Sequence, residues 1–337
     1  MRLMIPHPGH FDALKEILRV VENENLKDVH EVFMSGPPEI MGSGRAALHA
    51  ALISELKEQT AFAHQYDIRM NIIVNPSCLG GYHLTYAGYN MLRWYFNELN
   101  RAEVDAVTVA EPYLVEMLRE YPMEIVVSCV SHVDSPQKAV FYEMLGADAI
   151  TVDTNINRDF DVLRAIKRVS HCRIRVIVNE GCIYKCPFRY AHFNLFSHVT
   201  ASRSPLAEGG PDIFSDYYFD RCISLRVRDP SQIIKSPWIR PEDLNHYEEI
   251  GIEDFKIAGR ANTVAWILNA VRAYASREYD GNLIEILDCP AELKYIFYVD
   301  NNALEGCMEK WKKCNKMCNE CGYCADITKK VLKLIEK

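Results

Sequence analysis

A closed (β/α)8 barrel, an α/β fold of the TIM type, is what this sequence predicts, and three observations carry the prediction. From residue 2 to about residue 279, short apolar β-rich runs alternate with longer amphipathic ones, the pattern of a parallel sheet with helical crossovers. The alternation repeats eight times, the number of βα units that closes a barrel. Polar side chains follow the apolar runs, and barrel chemistry collects at the carboxyl ends of strands.

Taken in order, the strands are expected at Leu3–Ile5, Glu31–Met34, Met70–Val74, Ala106–Ala110, Ile125–Cys129, Ala149–Val152, Ile174–Val178 and Phe255–Ala258. Between them, amphipathic runs predict helices at Phe11–Glu22, Ala47–His64, Tyr86–Leu99, Leu114–Glu120, Gln137–Leu145 and Phe160–Val169, with Thr263–Arg277 closing the set. Strand seven is the most informative element. Its β-branched run reads as a buried strand and stops at Asn179-Glu180-Gly181, with thiols following at Cys182 and Cys186. A buried strand has little reason to end this way unless something at its carboxyl end binds those side chains, and a metal is the simplest such group. Cys172 lies upstream on the same extended segment, roughly 30 Å from Cys182 at about 3.3 Å per residue, so it is expected to be a core thiol.

Two segments break the repeat. An insertion of about 181–251 follows strand seven, and a tail of about 280–337 follows the last barrel helix. The expected division is therefore a barrel over 1–279, carrying the insertion, and a cysteine-rich carboxyl-terminal segment over 280–337. The insertion holds Cys182, Cys186, the run Pro187-Phe188-Arg189-Tyr190, His192 and Cys222. Its segment Ser236–Asp243 reads as a loop entering a capped helix, because Pro241 suits a first turn and acidic residues follow it. The glycine-rich stretches, Gly36–Gly44 and Gly80-Gly81, lack phosphate-loop or dinucleotide spacing and read as turns.

Composition narrows the class. Hydrophobic residues at 49% and charged residues at 25% fit a globular chain rather than a disordered or fibrous one. A net charge of −8 and a pI near 5.8 give no general nucleic-acid footprint, although Lys310, Lys312, Lys313 and Lys316 form a local basic group. The start, MRLMIPHPGHFDAL, lacks a signal-peptide pattern, and no apolar run approaches the roughly 18 residues of a membrane span. A cytoplasmic setting is expected. Twelve cysteines there argue for metal ligation over a disulfide framework.

The first polar side chains after the strands are His7, Ser35, Asn75, Glu111, His132, Asp153, Asn179 with Glu180, and Arg260. As a ring over a packed barrel they read as a binding pocket. Glu180, Asp153, His132 and Glu111 are the candidates for proton transfer, and Arg189, Arg240, Arg260 and Asn75 for substrate binding.

In the tail run CNKMCNECGYC, three, two and two residues separate Cys314, Cys318, Cys321 and Cys324, with Cys307 just before and Cys289 further back. Core cysteines do not normally crowd among Lys, Asn and Glu, so the tail reads as metal-binding. Cys182, Cys186 and Cys222 form the other group, open to a fourth ligand from Cys289, a tail cysteine, His192 or substrate. Cys78 and Cys129 read as packed thiols. Four thiolates suit zinc or iron–sulfur. The density of thiols and the absence of paired histidines favour iron–sulfur, with one cluster or two, and zinc as the alternative.

The segments EVDAVTVAEPYLVEMLREYP, IVVSCVSHVDSPQKAVFYEMLGADAITVD, RVIVNEGCIYKCPFRYAHFN and SPWIRPEDLNHYEEIGIEDFKIAGR resemble the peptidase U32 family of collagenase-like peptidases. The resemblance implies a barrel with a four-cysteine 4Fe–4S site. Some members act in oxygen-independent hydroxylation of a ubiquinone precursor or RNA bases, and others are classed as proteases. It implies cluster ligation by Cys182 and Cys186, and by Cys222 as a later ligand, and leaves the fourth unplaced. The lead-in Val178-Asn179-Glu180-Gly181 departs from the peptidase-type signature. An iron–sulfur redox enzyme acting on a small molecule or modified base is the expected function. A U32-type peptidase and an iron–sulfur partner subunit without its own activity are the alternatives, and no HExxH pair or GxSxG elbow supports the peptidase. The partners expected are an electron-donor protein and a second subunit, either a copy of this chain or a different one.

Overall fold

The computed structural model describes residues 1–36, 42–44, 52–200 and 215–335. Eight strands, β1 (Arg2–Pro6), β2 (Val29–Ser35), β3 (Arg69–Val74), β4 (Ala106–Val109), β5 (Glu124–Val127), β6 (Ala149–Thr151), β7 (Arg173–Ile177) and β8 (Asp254–Lys256), pair in chain order into a closed barrel. Every pairing is parallel, and β1 against β8 completes the ring. The fold is the (β/α)8 barrel that the alternation predicts.

The helices follow the same logic. In α1 (Phe11–Asn23), Leu14, Ile17, Leu18 and Val21 are buried at a helical spacing that lays one face on the barrel. The remaining crossovers are α2 (Ile53–His64), α3 (Tyr86–Arg101), α4 (Pro112–Leu118), α5 (Pro136–Leu145) and α6 (Phe160–Val169). The start of the helix expected from Ala47, and most of the Gly36–Gly44 stretch, lie outside the described residues. Helix α4 begins before the expected Leu114 because Pro112 fits its first turn and the Glu111 carboxylate accepts from the Leu114 amide.

The barrel interior is not wholly apolar. Arg175, fully buried on β7, donates through both Nη atoms to Glu31 at 2.9 and 3.1 Å and to Glu124 at 3.0 Å, with Asp254 at 3.5 Å from Nε. Asn71 donates to Glu31, and Thr108 donates to Asn71. This polar layer occupies the amino-terminal half of the barrel. Above it lie Met4, Phe33 and Ile73, and then the carboxyl-terminal mouth.

After β7 the insertion forms α7 (Arg189–Val199), α8 (Ser215–Arg228), α9 (Ser231–Lys235) and α10 (Asn245–Glu248). The helix expected after Pro241 is a short 3-10 turn, Pro241–Asp243, leading into α10. Helix α11 (Val264–Ser276) closes the barrel. The tail then adds α12 (Leu293–Ile296), β9 (Phe297–Val299), α13 (Cys307–Trp311), α14 (Cys318–Cys321), α15 (Tyr323–Val331) and β10 (Leu332–Leu334), with β9 and β10 antiparallel. Leu304, Met308, Trp311 and Val331 belong to the same apolar core as the barrel helices, so the tail is docked on the barrel. Among the described residues no helix is long and apolar enough to cross a membrane.

Candidate functional site

The end of β7 is held open by backbone pairing. Asn179 donates to the carbonyls of Ala258 and Ile286 and accepts from the Ala258 amide, tying β7, β8 and the tail together. Asn179 is thus a structural staple. Beyond it, the Gly181 amide donates to the Asp288 carbonyl at 3.2 Å and the Asp288 amide to the Asn179 carbonyl at 2.8 Å. That register lays Cys289 directly against Gly181. A Cβ at Gly181 would stand 2.5 Å from the Cys289 Cβ, so only glycine lets the two segments approach.

Thiols from three parts of the chain lie around this junction. Cys182 and Cys186 flank the loop after β7, Cys222 comes from α8, and Cys289 from the tail. Arg226, one turn after Cys222, donates to the Cys222 sulfur and to the Gly181 carbonyl, bridging helix and loop. Burial pushes the Cys289 thiol up to about 12, and the charges of Arg226, Asp288 and Cys222 all bear on it. Burial likewise raises Cys186, on which Cys222 also acts. The donor set, four thiols with a guanidinium bonded to one of them, fits a thiolate-held metal centre. Among the described residues no group of three or more His, Cys, Asp or Glu side chains stands in metal-holding geometry.

Next to the thiols the barrel mouth encloses a cavity of about 80 Å³, lined by Asn75, Ser128, Cys129, Glu180, Lys256 and Arg260 among others. A larger depression of about 640 Å³ opens at the opposite, amino-terminal end, beside Arg69, Asp105 and Glu124. In this fold that face serves stability, so the smaller cavity is the functional candidate.

His132 and Asp153 form the polar centre at this end of the barrel. His132 Nδ1 lies 2.9 Å from Asp153 Oδ2, both groups are buried, and the Lys138 ammonium donates to the His132 carbonyl. His132 ends the 3-10 turn Cys129–Ser131 with left-handed backbone angles, φ 52° and ψ 48°, sparsely populated for a residue with a side chain but more open to histidine than to most. Its ring packs 4.4 Å from that of Tyr190. Burial alone would raise the Asp153 carboxyl, but the His132 hydrogen bond and the Arg189 charge outweigh it and hold the group at about 2. Arg189 donates to Thr154 Oγ1 at 2.9 Å and stands 3.8 Å from Asp153, while its buried Nε and Nη1 have no hydrogen-bond partner among the described residues. Glu180 accepts from the Cys182 amide, which links the cavity wall to the thiol loop.

The ring expected from the strand ends divides on inspection. Asn75, Glu180 and Arg260 line the cavity, and His132, Asp153 and Arg189 form one polar group. Asn75 donates to Ser128 Oγ, and Arg260 to Ser35 Oγ. Two other candidates have structural commitments. The Arg240 guanidinium grips Asp243 through two 3.0 Å bonds and donates to the Asn301 carbonyl, so it is committed to holding the tail. Glu111 caps α4 and faces His83 at 3.8 Å, which makes it a helix cap. Cys307 is buried in the apolar core against Tyr323 and is not among the thiols that line the small cavities under α14 and α15, which are Cys314, Cys318, Cys321 and Cys324.

Lys256 escaped the sequence reading. It lies inside strand β8, buried, with Nζ 4.0 Å above the Phe33 ring, and burial brings its ammonium down to about 7. A lysine between Phe255 and Ile257, in register with Asp254 two residues earlier, was the available signal, since alternate strand residues share a face.

Comparison with known proteins agrees with this architecture. The description of peptidase family U32 matches residues 21–185. The chain is 41% identical over 336 residues to the "Uncharacterized protease MJ1657" of Methanocaldococcus jannaschii, covering 98% of each chain. Among solved structures, that of the U32 peptidase Mk0906 matches with a TM-score of 0.57 and 26% identity, over 77% of this chain and 93% of that one. A barrel shared with one relative and 41% identity to another over nearly the full length lead to the same conclusion: the chain belongs to peptidase family U32.

Proposed function

We propose that this protein is an iron–sulfur-dependent enzyme of the U32 family. Its reaction is an oxygen-independent hydroxylation or a related redox group transfer on a small polar substrate bound at the barrel mouth. The observation that carries the reading is the arrival of Cys289, pinned beside Gly181, as a fourth thiol next to Cys182, Cys186 and Cys222, adjoining a cavity near the His132–Asp153 pair.

Cys182, Cys186, Cys222 and Cys289 would hold the cluster, which when bound supplies one-electron transfer and a Lewis-acidic iron. The chain's own residues do the rest. Arg226 donates to the Cys222 sulfur and steadies the thiolate charge. Asp153 fixes His132 through Nδ1, which leaves Nε2 to give or take a proton at the substrate. The buried Nε and Nη1 of Arg189, unpartnered among the described residues, suit an anionic or carbonyl oxygen, whose binding would satisfy both donors. Low access to water in so small a mouth strengthens each of these interactions.

A peptidase is the second reading, favoured by the name of the M. jannaschii relative and by the His132–Asp153 pair, which has the form of an oriented base. The nearest thiol on the chain, Cys129, is raised by burial, so it is a poor nucleophile until deprotonated. Cys129→Ala separates the two. Under the redox reading the variant keeps its iron and its turnover to within a few-fold, whereas loss of all activity with iron intact would replace that reading with hydrolysis through Cys129.

A further inference from the structure

We infer that the tail carries a second metal centre, a tetrathiolate built from Cys314, Cys318, Cys321 and Cys324, whose negative charge is matched by the buried Arg158. The proposal does not depend on the redox reading of the mouth.

Arg158 is the starting point. It is 7% exposed, and its guanidinium lies between two indole faces, 4.3 Å from the Trp238 ring and 3.8 Å from the Trp311 ring. Its donors are spent on neutral carbonyls: Nε and Nη2 on Trp238 at 3.2 and 2.8 Å, and Nη1 on Ile234 at 2.8 Å. Among the described residues no carboxylate forms a close ion pair with it, and Asp243 acts on it only through its charge at longer range. Two other deeply buried guanidinium groups show the usual arrangement, Arg175 met by Glu31 and Arg240 by Asp243. A buried guanidinium without an anion is costly, and native structures supply one.

The wall of the adjoining cavity identifies that anion. Cys314, Cys318 and Cys324 line it together with Arg158, Lys235 and Lys316, and no carboxylate contributes. Cys321 joins the same three thiols in the neighbouring cavity. Among the residues lining the two cavities, the thiols are therefore the most acidic groups that can carry negative charge. A second observation concerns Trp311, whose buried Nε1 makes no hydrogen bond of ordinary geometry and faces the Cys324 sulfur. A thiolate accepts that bond better than a thiol does.

Four neutral thiols would leave Arg158 unmatched. Bound to a divalent metal or a 4Fe–4S core of charge +2, four thiolates carry a net charge of −2, and their four protons pass to solvent on binding. Either group meets the charge requirement, which is a tetrathiolate site of net charge −2. Tyr184, midway between Cys182 and Cys186, lines the same cavity, so the tail centre would brace the loop that presents the mouth thiols.

The test uses the full chain purified without oxygen. Metal and sulfide are counted for the wild type, for Cys318→Ser/Cys321→Ser and for Cys182→Ser/Cys186→Ser. The tail variant is expected to lose one centre, either one zinc or the iron and sulfide of one cluster, and the mouth variant to retain it. Should the tail variant fail to fold, alkylation of the wild type followed by mass spectrometry decides. Cys314, Cys318, Cys321 and Cys324 are expected to react at least tenfold more slowly before chelation than after, while Cys307 stays slow in both. Unchanged metal in the tail variant, or equal alkylation rates before and after chelation, overturns the proposal. If only the mouth variant keeps all its metal, the mouth reading fails and the tail centre stands.

Discussion

Lys256 offers the sharpest physical test, because its environment fixes both the sign and the size of an effect. Burial brings its ammonium from the ordinary 10.5 to about 7, so between those limits the unfolded chain holds a proton that the folded chain has released. Stability therefore rises with pH across that window and is lowest below pH 7, where protonation in the barrel costs about 5 kcal/mol at about 1.4 kcal/mol per unit. The same relation gives a residual cost of about 3 kcal/mol at pH 8 and about 1 kcal/mol at pH 10. Lys256→Met keeps the length of the side chain and removes the charge. In urea denaturation it is expected to be more stable than the wild type by about 3 kcal/mol at pH 8, with the gap narrowing to about 1 kcal/mol by pH 10. Taking the difference between the two proteins cancels the tyrosines and thiols that titrate in the same range. A gap that does not change between pH 8 and pH 10 would show that Lys256 stays charged in the fold, and would refute the reasoning.

Three further outcomes follow from the same structure. Glu31→Gln removes the bidentate partner of the fully buried Arg175 and is expected to destabilise the barrel by about 3 kcal/mol in urea, at the low end for a broken buried pair because Glu124 and Asp254 remain. Asp153→Asn is expected to lower turnover by about 10²- to 10⁴-fold with metal content unchanged. Because Asp153 is held at about 2 against an ordinary 3.8, its stabilisation is present above pH 4 and is lost as the pH falls towards 2. The variant should therefore lack about 2 kcal/mol of that acid-dependent change. Gly181→Ala drives a methyl into Cys289, so a loss of about 1–3 kcal/mol in thermal or urea unfolding is expected, together with reduced iron.

The barrel was legible because its signal is local. Each β run, such as Ile174–Val178, carries its own apolar pattern, and the observed β7 differs from it by one residue at either end. The mouth was only partly legible. The residue after a strand is a sound guide to position, and His132, Asp153 and Glu180 do stand at the carboxyl-terminal end of the barrel, but it says nothing of a side chain's commitments. Glu111 was spent on the amide of Leu114 and Arg240 on Asp243, contacts that depend on helix entry and tertiary packing. Lys256 was hidden by the opposite error, since a charged residue inside a strand reads as solvent-facing until the barrel shows which parity points inward. The place of Cys289, one of several fourth-ligand candidates in the sequence, and the role of Arg158 needed the fold itself. Cys289 reaches the β7 loop through backbone pairing with Asp288, and Arg158 owes its meaning to an absent carboxylate, which a sequence cannot display.

The most direct test of the central claim is iron, sulfide and zinc analysis, with an electronic absorption spectrum, on anaerobically purified wild type and Cys289→Ser. The account predicts stoichiometric iron and sulfide with a broad visible band that bleaches on reduction, and loss of one cluster's iron in the variant. Zinc without sulfide, or iron and sulfide undiminished in Cys289→Ser, would contradict it.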